Sequence, residues 1–115
     1  MPAAGTALAS HCPAVTTMFV GTLTLDLLLG DVHSLKEKRS VVRPIVAELA
    51  RRFSVAVSEV GDANLHRRAV VGMATVSAES AQCVRVLDAC ERLVAARPEV
   101  ELLSARRRVV SEEDD

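Results

Sequence analysis

From Met18 onward the chain alternates between apolar and polar positions. Phe19, Leu23, Leu25 and Leu27 fall on one face, while Thr22, Thr24 and Asp26 fall on the other. This pattern predicts a half-buried strand ended by Gly30-Asp31. The period then changes to that of a helix, with Leu35, Val42, Ile45, Val46 and Leu49 on one stripe over residues 34–52. Ser34 and Glu37 stand at capping-box spacing, in which each side chain satisfies an amide at the helix start. Pro44, inside the helix, removes one backbone donor and predicts a kink.

A second strand is expected over 54–60, turning at Gly61-Asp62, and a third over 68–77, containing Gly72 and Met73. A second helix starts at Ser77 or Glu79 and runs to Ala96. Cys83, Leu87, Cys90 and Val94 lie on its inner stripe, and Pro98 stops it. A fourth strand over 100–110 completes the order βαββαβ. That order predicts an α+β ferredoxin-like sandwich: a four-stranded antiparallel sheet with two helices on one face and the other face open.

The length, 115 residues, suits one domain. The first 17 residues are rich in Ala, Thr and Ser and broken by Pro2, Gly5 and Pro13, so they are expected to be a disordered leader with Met18 as an alternative start. They lack the pattern of a signal peptide, and no stretch of the chain matches a membrane span. Residues 111–115 are expected to form an acidic, disordered tail. Between these ends, 14 basic side chains face 11 acidic ones, so a formally near-neutral chain contains a mildly basic domain. This bias is well short of a dedicated nucleic-acid binder, and no DNA specificity is inferred.

Composition removes several function classes. Phe19 and Phe53 are the only aromatic residues, too few for a base-stacking sheet of the RRM type. A KH-type GxxG loop, a P-loop and a dinucleotide glycine fingerprint are missing. Cys12, Cys83 and Cys90 show neither CxxC spacing nor zinc-ligand offsets, so neither a structural metal nor a disulfide framework is expected, and a reducing cytoplasm fits best. His33 and His66 have no carboxylate or cysteine at a defined spacing and read as surface-loop residues. Ser34 has no paired base. No catalytic set can be assembled, and no cofactor is implied.

What chemistry remains is basic. On a wheel centred at Val42, Arg39, Arg43 and Lys36 lie about 60°, 100° and 120° along one flank of the first helix. Lys38 lies about 40° from the centre of the buried stripe and is expected to snorkel towards the loops. Lys36, Lys38, Arg39 and the capped helix start, with Arg43 beside them, could hold a phosphate or an RNA backbone. The plainer alternative is a solvated flank with salt links to Glu37 or Glu48. With Leu103 and Val109 turned inward, Arg106 and Arg108 share the open sheet face near Thr22, Thr24 and Asp26, either contacting phosphate or charging an edge strand against aggregation.

The segment Ser34-Leu35-Lys36-Glu37-Lys38-Arg39, with Glu59-Val60 and Arg68-Ala69-Val70-Val71-Gly72-Met73-Ala74, resembles the YlxP family of small bacterial proteins of unknown function. The resemblance extends over residues 18–110. Members typically carry a Trp in the loop before the third strand, where this chain reads Asp62-Ala63-Asn64-Leu65-His66. The resemblance implies a ferredoxin-like fold, no established enzyme activity or cofactor, and gene neighbourhoods shared with translation initiation and ribosome maturation factors. Two expectations follow. The first is a noncatalytic ribosome- or RNA-associated accessory protein that contacts phosphates through the basic first helix. The second is a homodimeric interaction or regulatory module that uses its open sheet face.

Overall fold

The computed structural model describes residues 17–112. The expected leader, apart from Thr17, and the last three residues of the acidic tail lie outside the described residues. The elements are β1 (Phe19–Leu29), α1 (Leu35–Arg52), β2 (Ala56–Glu59), β3 (Arg68–Ser77), α2 (Ser80–Ala95) and β4 (Val100–Ser111). The strands form one sheet in the order β2-β3-β1-β4 with every neighbouring pair antiparallel, and this is the ferredoxin-like arrangement.

Alternation in β1 places Leu23, Leu25, Leu27 and Leu29 wholly inside, where they meet Val42, Ile45 and Leu49 of α1 and Leu87, Cys90 and Val94 of α2. Gly21 occupies the same inner face. A Cβ there would lie 2.9 Å from Leu87 Cδ1 and 3.0 Å from Cys83 Cβ, so the missing side chain lets α2 approach the sheet. Helix α1 runs unbroken through Pro44, which is exposed; the Ser40 carbonyl deprived of its helical donor therefore lies on a solvent-facing turn.

Three boundaries differ from the pattern-based expectation. Strand β2 is only four residues long; before it the Ser54 carbonyl accepts from the Thr75 hydroxyl at 2.8 Å, and after it the Val60 amide donates to the Val70 carbonyl at 2.8 Å. Helix α2 begins at Ser80, after a turn in which the Glu79 amide donates to Ser77 Oγ at 3.0 Å. Ser111 belongs to β4 rather than to the tail, paired with Phe19 across the ladder.

A bulge in β4 changes which residues face the core. Leu102 pairs with Leu27 and faces inward, whereas Ser104 pairs with Asp26 and faces outward. Leu103 is the extra residue between them. It is exposed, which corrects the expectation that it points inward. Beyond the bulge, Ala105, Arg107 and Val109 lie on the helix side, opposite Leu25, Leu23 and Gly21.

Candidate anion-binding surface

The start of α1 is built by its own sequence. Ser34 Oγ accepts the Glu37 amide at 3.1 Å, as the spacing predicts. The reciprocal bond differs by one residue: Glu37 Oε1 accepts the amide of His33 at 2.7 Å, not that of Ser34. Ser34 and Glu37 thus hold the entry of the chain into the helix, and neither contributes to a ligand site through these contacts.

Lys38 is the main correction. Its side chain reaches the loop after β2, as its wheel position suggests, but it is buried there and not solvent-facing. Its ammonium lies 2.8 Å from Glu59 Oε2 and donates to the carbonyls of Ala63 and Asp62 at 3.2 and 3.4 Å. A four-carbon stem crosses the apolar layer, and the charge finds a carboxylate at the end of an edge strand. Lys38 is therefore a tie between α1, β2 and the loop, withdrawn from the exposed cations. The pairing was not evident from spacing, since 21 positions separate the partners; the visible signals were a lysine at a buried wheel position and the Glu59-Val60 element of the family resemblance.

Lys36, Arg39 and Arg43 are exposed, and with Ser40 and Pro44 they line a shallow concavity on α1. None of the three makes an ion pair among the described residues. The two acids expected to form salt links with them, Glu37 and Glu48, make their contacts to other groups. Glu37 accepts the His33 amide, and Glu48 pairs with Arg97 at 2.9 Å and Arg52 at 3.2 Å. Because Glu48 and Arg52 line the cleft towards α2, the flank bearing Lys36, Arg39 and Arg43 is the one turned away from α2, on the β2 side of the domain.

Arg106 and Arg108 stand opposite Thr24 and Thr22 on the open face, as expected, and neither makes an ion pair among the described residues. Asp26 does not join them: Arg68 holds it through two hydrogen bonds, at 3.2 and 2.6 Å. Arg107 points the other way, towards α2, where it meets Glu91 at 3.1 Å and Asp88 at 3.7 Å. The α1 cations and the β4 arginines lie on opposite sides of the sheet and at opposite edges, so they form two surfaces and not one.

The other chemistry-bearing residues are occupied or isolated. Cys83 and Cys90 are fully buried, and burial pushes the Cys90 thiol up from its ordinary value near 9 to about 11, towards an inert thiol. His33 lies 2.7 Å from Asp31, with both side chains largely in solvent. Among the described residues no cluster of His, Cys, Asp or Glu could hold a metal ion, and no helix is long and apolar enough to cross a membrane.

Comparison with known proteins bears out the sequence resemblance at the level of family. Residues 20–107 match the family described as "Protein of unknown function (DUF503)". The chain belongs to this family. A relative in Bacillus subtilis (strain 168), "Uncharacterized protein YlxP", is 30% identical over 82 residues, covering 71% of this chain and 89% of that protein. Among solved structures, "De novo designed protein Foldit4" aligns with a TM-score of 0.47 and 14% identity, over 81% of this chain and 96% of that one. In this DUF503 chain the resembling segment at the start of α1 divides into two sets. Ser34, Glu37 and Lys38 build the helix entry and its tie to β2; Lys36 and Arg39 are left for solvent or a ligand.

Proposed function

We propose that this protein is a noncatalytic, cytoplasmic accessory factor that contacts the phosphate backbone of RNA, ribosomal RNA in particular, through the outer flank of α1. One observation carries the reading: Lys36, Arg39 and Arg43 share an exposed concave stripe and make no ion pair among the described residues, while Glu37 and Glu48 make their contacts elsewhere. Cations left unneutralised at fixed helical spacing attract a polyanion without reading its sequence. Both aromatic rings are partly buried against the core or the strand ends, so recognition by base stacking has no platform here. The gene neighbourhoods implied by the family resemblance support the ribosome as the source of the RNA.

The test is co-sedimentation with ribosomal subunits at low and moderate salt, comparing the wild type with Lys36→Ala/Arg39→Ala/Arg43→Ala. Binding that weakens with salt and is lost in the triple variant is expected. Binding that survives the triple substitution, or a wild type that never sediments with subunits, overturns the reading. Lys38 is left intact, because its loss would act through the fold.

A second reading, an interaction or regulatory module that uses the open face, draws on a shallow apolar groove over Ala56, Ser58, Val60, Gly72 and Ala74. Ala74→Arg would fill that groove. It should abolish any ligand-induced rise in thermal stability while leaving subunit binding unchanged.

A further inference from the structure

Two hollows on the open face of the sheet meet at Thr24. The first, of about 350 Å³, is lined by Thr22, Thr24, Arg106, Arg107 and Arg108. Arg107 turns its guanidinium to Glu91 and Asp88. Among the described residues, Arg106 and Arg108 make no ion pair, and the hydroxyls of Thr22 and Thr24 make no hydrogen bond. Asp26, the next acid along β1 on that face, is held by Arg68. Two positive charges and two hydroxyls therefore border one hollow uncompensated. The second hollow, of about 360 Å³, lies over Ala56, Ser58, Gly72 and Ala74 and is mainly apolar, with Val60 beside it. Val60 leans over Gly72, where a Cβ would lie 3.2 Å from its Cγ2.

The strand register joins the hollows. Thr24 stands opposite Arg106 of β4 and Gly72 of β3, and Gly72 opposite Ser58 of β2. In the next row Thr22 stands opposite Arg108 and Ala74, and Ala74 opposite Ala56. Each row crosses all four strands, with an arginine at one end and small side chains over the rest. Neighbouring strands lie about 4.8 Å apart, so the low floor from β1 to β2 is about 10 Å long. Val20, Val76 and Val110 form the following row and border the floor on one side, with Val76 exposed.

We propose that the open face binds a small amphipathic anion, its carboxylate or phosphate held by Arg106 and Arg108 and its apolar body, about 10 Å long, laid along the floor towards β2. This rests on the open-face reading above and supplies its ligand chemistry. Charge selects the head: two arginines without an acid partner favour an anion, and a charged acceptor makes the strongest hydrogen bonds with guanidinium and hydroxyl donors. The floor selects the body. Alkyl surface buried over Ala56, Gly72 and Ala74 adds affinity that a bare phosphate lacks, while a nucleobase finds no aromatic ring to stack on in either hollow. Both hollows have the volume of small-ligand sites.

The experiment is calorimetric titration of the full chain at low salt. The probes are octyl phosphate and octanoate, whose chains match the floor, octan-1-ol as the same body without charge, and inorganic phosphate as the head alone, all below micelle-forming concentrations. At least one alkyl anion should bind about tenfold or more tightly than octanol or inorganic phosphate. Arg106→Gln/Arg108→Gln, at exposed positions, should remove that advantage and leave octanol binding unchanged. Ala74→Gln should weaken every alkyl probe; Ser58→Gln, at an exposed position, makes the same test if the first variant fails to fold. Octanol bound as tightly as the anions, or anions that bind the arginine variant undiminished, overturns the proposal and leaves the apolar groove of the open-face reading in place. Failure of every alkyl probe to bind overturns both. Loss of ribosomal-subunit co-sedimentation in Arg106→Gln/Arg108→Gln would assign these arginines to RNA and overturn the proposal as well.

Discussion

Lys38 and Glu59 meet at 2.8 Å, one from the first turn of α1 and the other from the end of β2, with the lysine side chain only 2% exposed. An ammonium in this position is tolerated because a carboxylate and two loop carbonyls replace its water. Removing one partner strands the other. Lys38→Met should destabilise the protein by about 2–3 kcal/mol, below the cost for a fully enclosed pair because Glu59 keeps some contact with solvent. Combining Lys38→Met with Glu59→Leu should recover at least half of that loss. Urea unfolding of both variants decides it; a double variant less stable than the single would show that the carboxylate is not the group left stranded.

Gly21 gives a second prediction because it faces the core directly beneath Cys83 and Leu87 of α2. Gly21→Ala places a methyl 2.9 Å from Leu87 Cδ1 and 3.0 Å from Cys83 Cβ, so helix or strand must shift. A loss of about 1–3 kcal/mol is expected, as for other overpacked sites. Chemical denaturation measures it, with an unchanged transition slope showing that the fold is retained.

The helix cap is expected to contribute less. Ser34→Ala removes the acceptor for the Glu37 amide and should cost about 1 kcal/mol, whereas Ser34→Asp should cost little. Thermal unfolding distinguishes them, and equal losses in both variants would show that the hydroxyl acts through something other than capping.

The arginines of β4 should separate by face. Arg107→Ala removes contacts with Glu91 and Asp88 and should cost up to about 1 kcal/mol, less at high salt. Arg106→Ala, with no ion pair within the described residues, should leave the stability of the isolated fold within about 0.5 kcal/mol. Unfolding measured at two salt concentrations, at protein concentrations low enough to exclude association, tests the difference.

Cys90 couples stability to alkaline pH. Its thiol is raised to about 11 by burial, so between the ordinary thiol range and that value the folded chain keeps a proton that the unfolded chain releases. Rising pH therefore favours unfolding. Stability should fall across that window by up to about 1.4 kcal/mol per pH unit from this group, and be unaffected by it below the thiol range. Cys90→Ala should remove that component, and the difference between the two pH profiles isolates it.

Much of the fold was legible because its causes are local. The period-two pattern of β1, the helical stripe of Val42, Ile45 and Leu49, the inner stripe of Cys83, Leu87, Cys90 and Val94, and the Ser34 cap all arise between residues a few positions apart. The connection order then placed β4 beside β1, and an inward-facing Val109 set Arg106 and Arg108 on the face of Thr24 and Thr22, although Leu103, expected to point inward with it, does not. The basic flank of α1 was visible in the same way, as an angle on a wheel.

Tertiary structure decided which charges are free. The fate of Lys38 depends on Glu59, Asp62 and Ala63, and that of Glu48 on Arg97, across separations that no periodicity encodes. The bulge at Leu103 lets both Leu102 and Val109 face the helices and leaves Leu103 itself exposed, which no alternation in the sequence encodes. Hydrophobic pattern acts through burial, which averages over a whole face; an ion pair depends on two particular atoms meeting, and only the assembled chain brings them together.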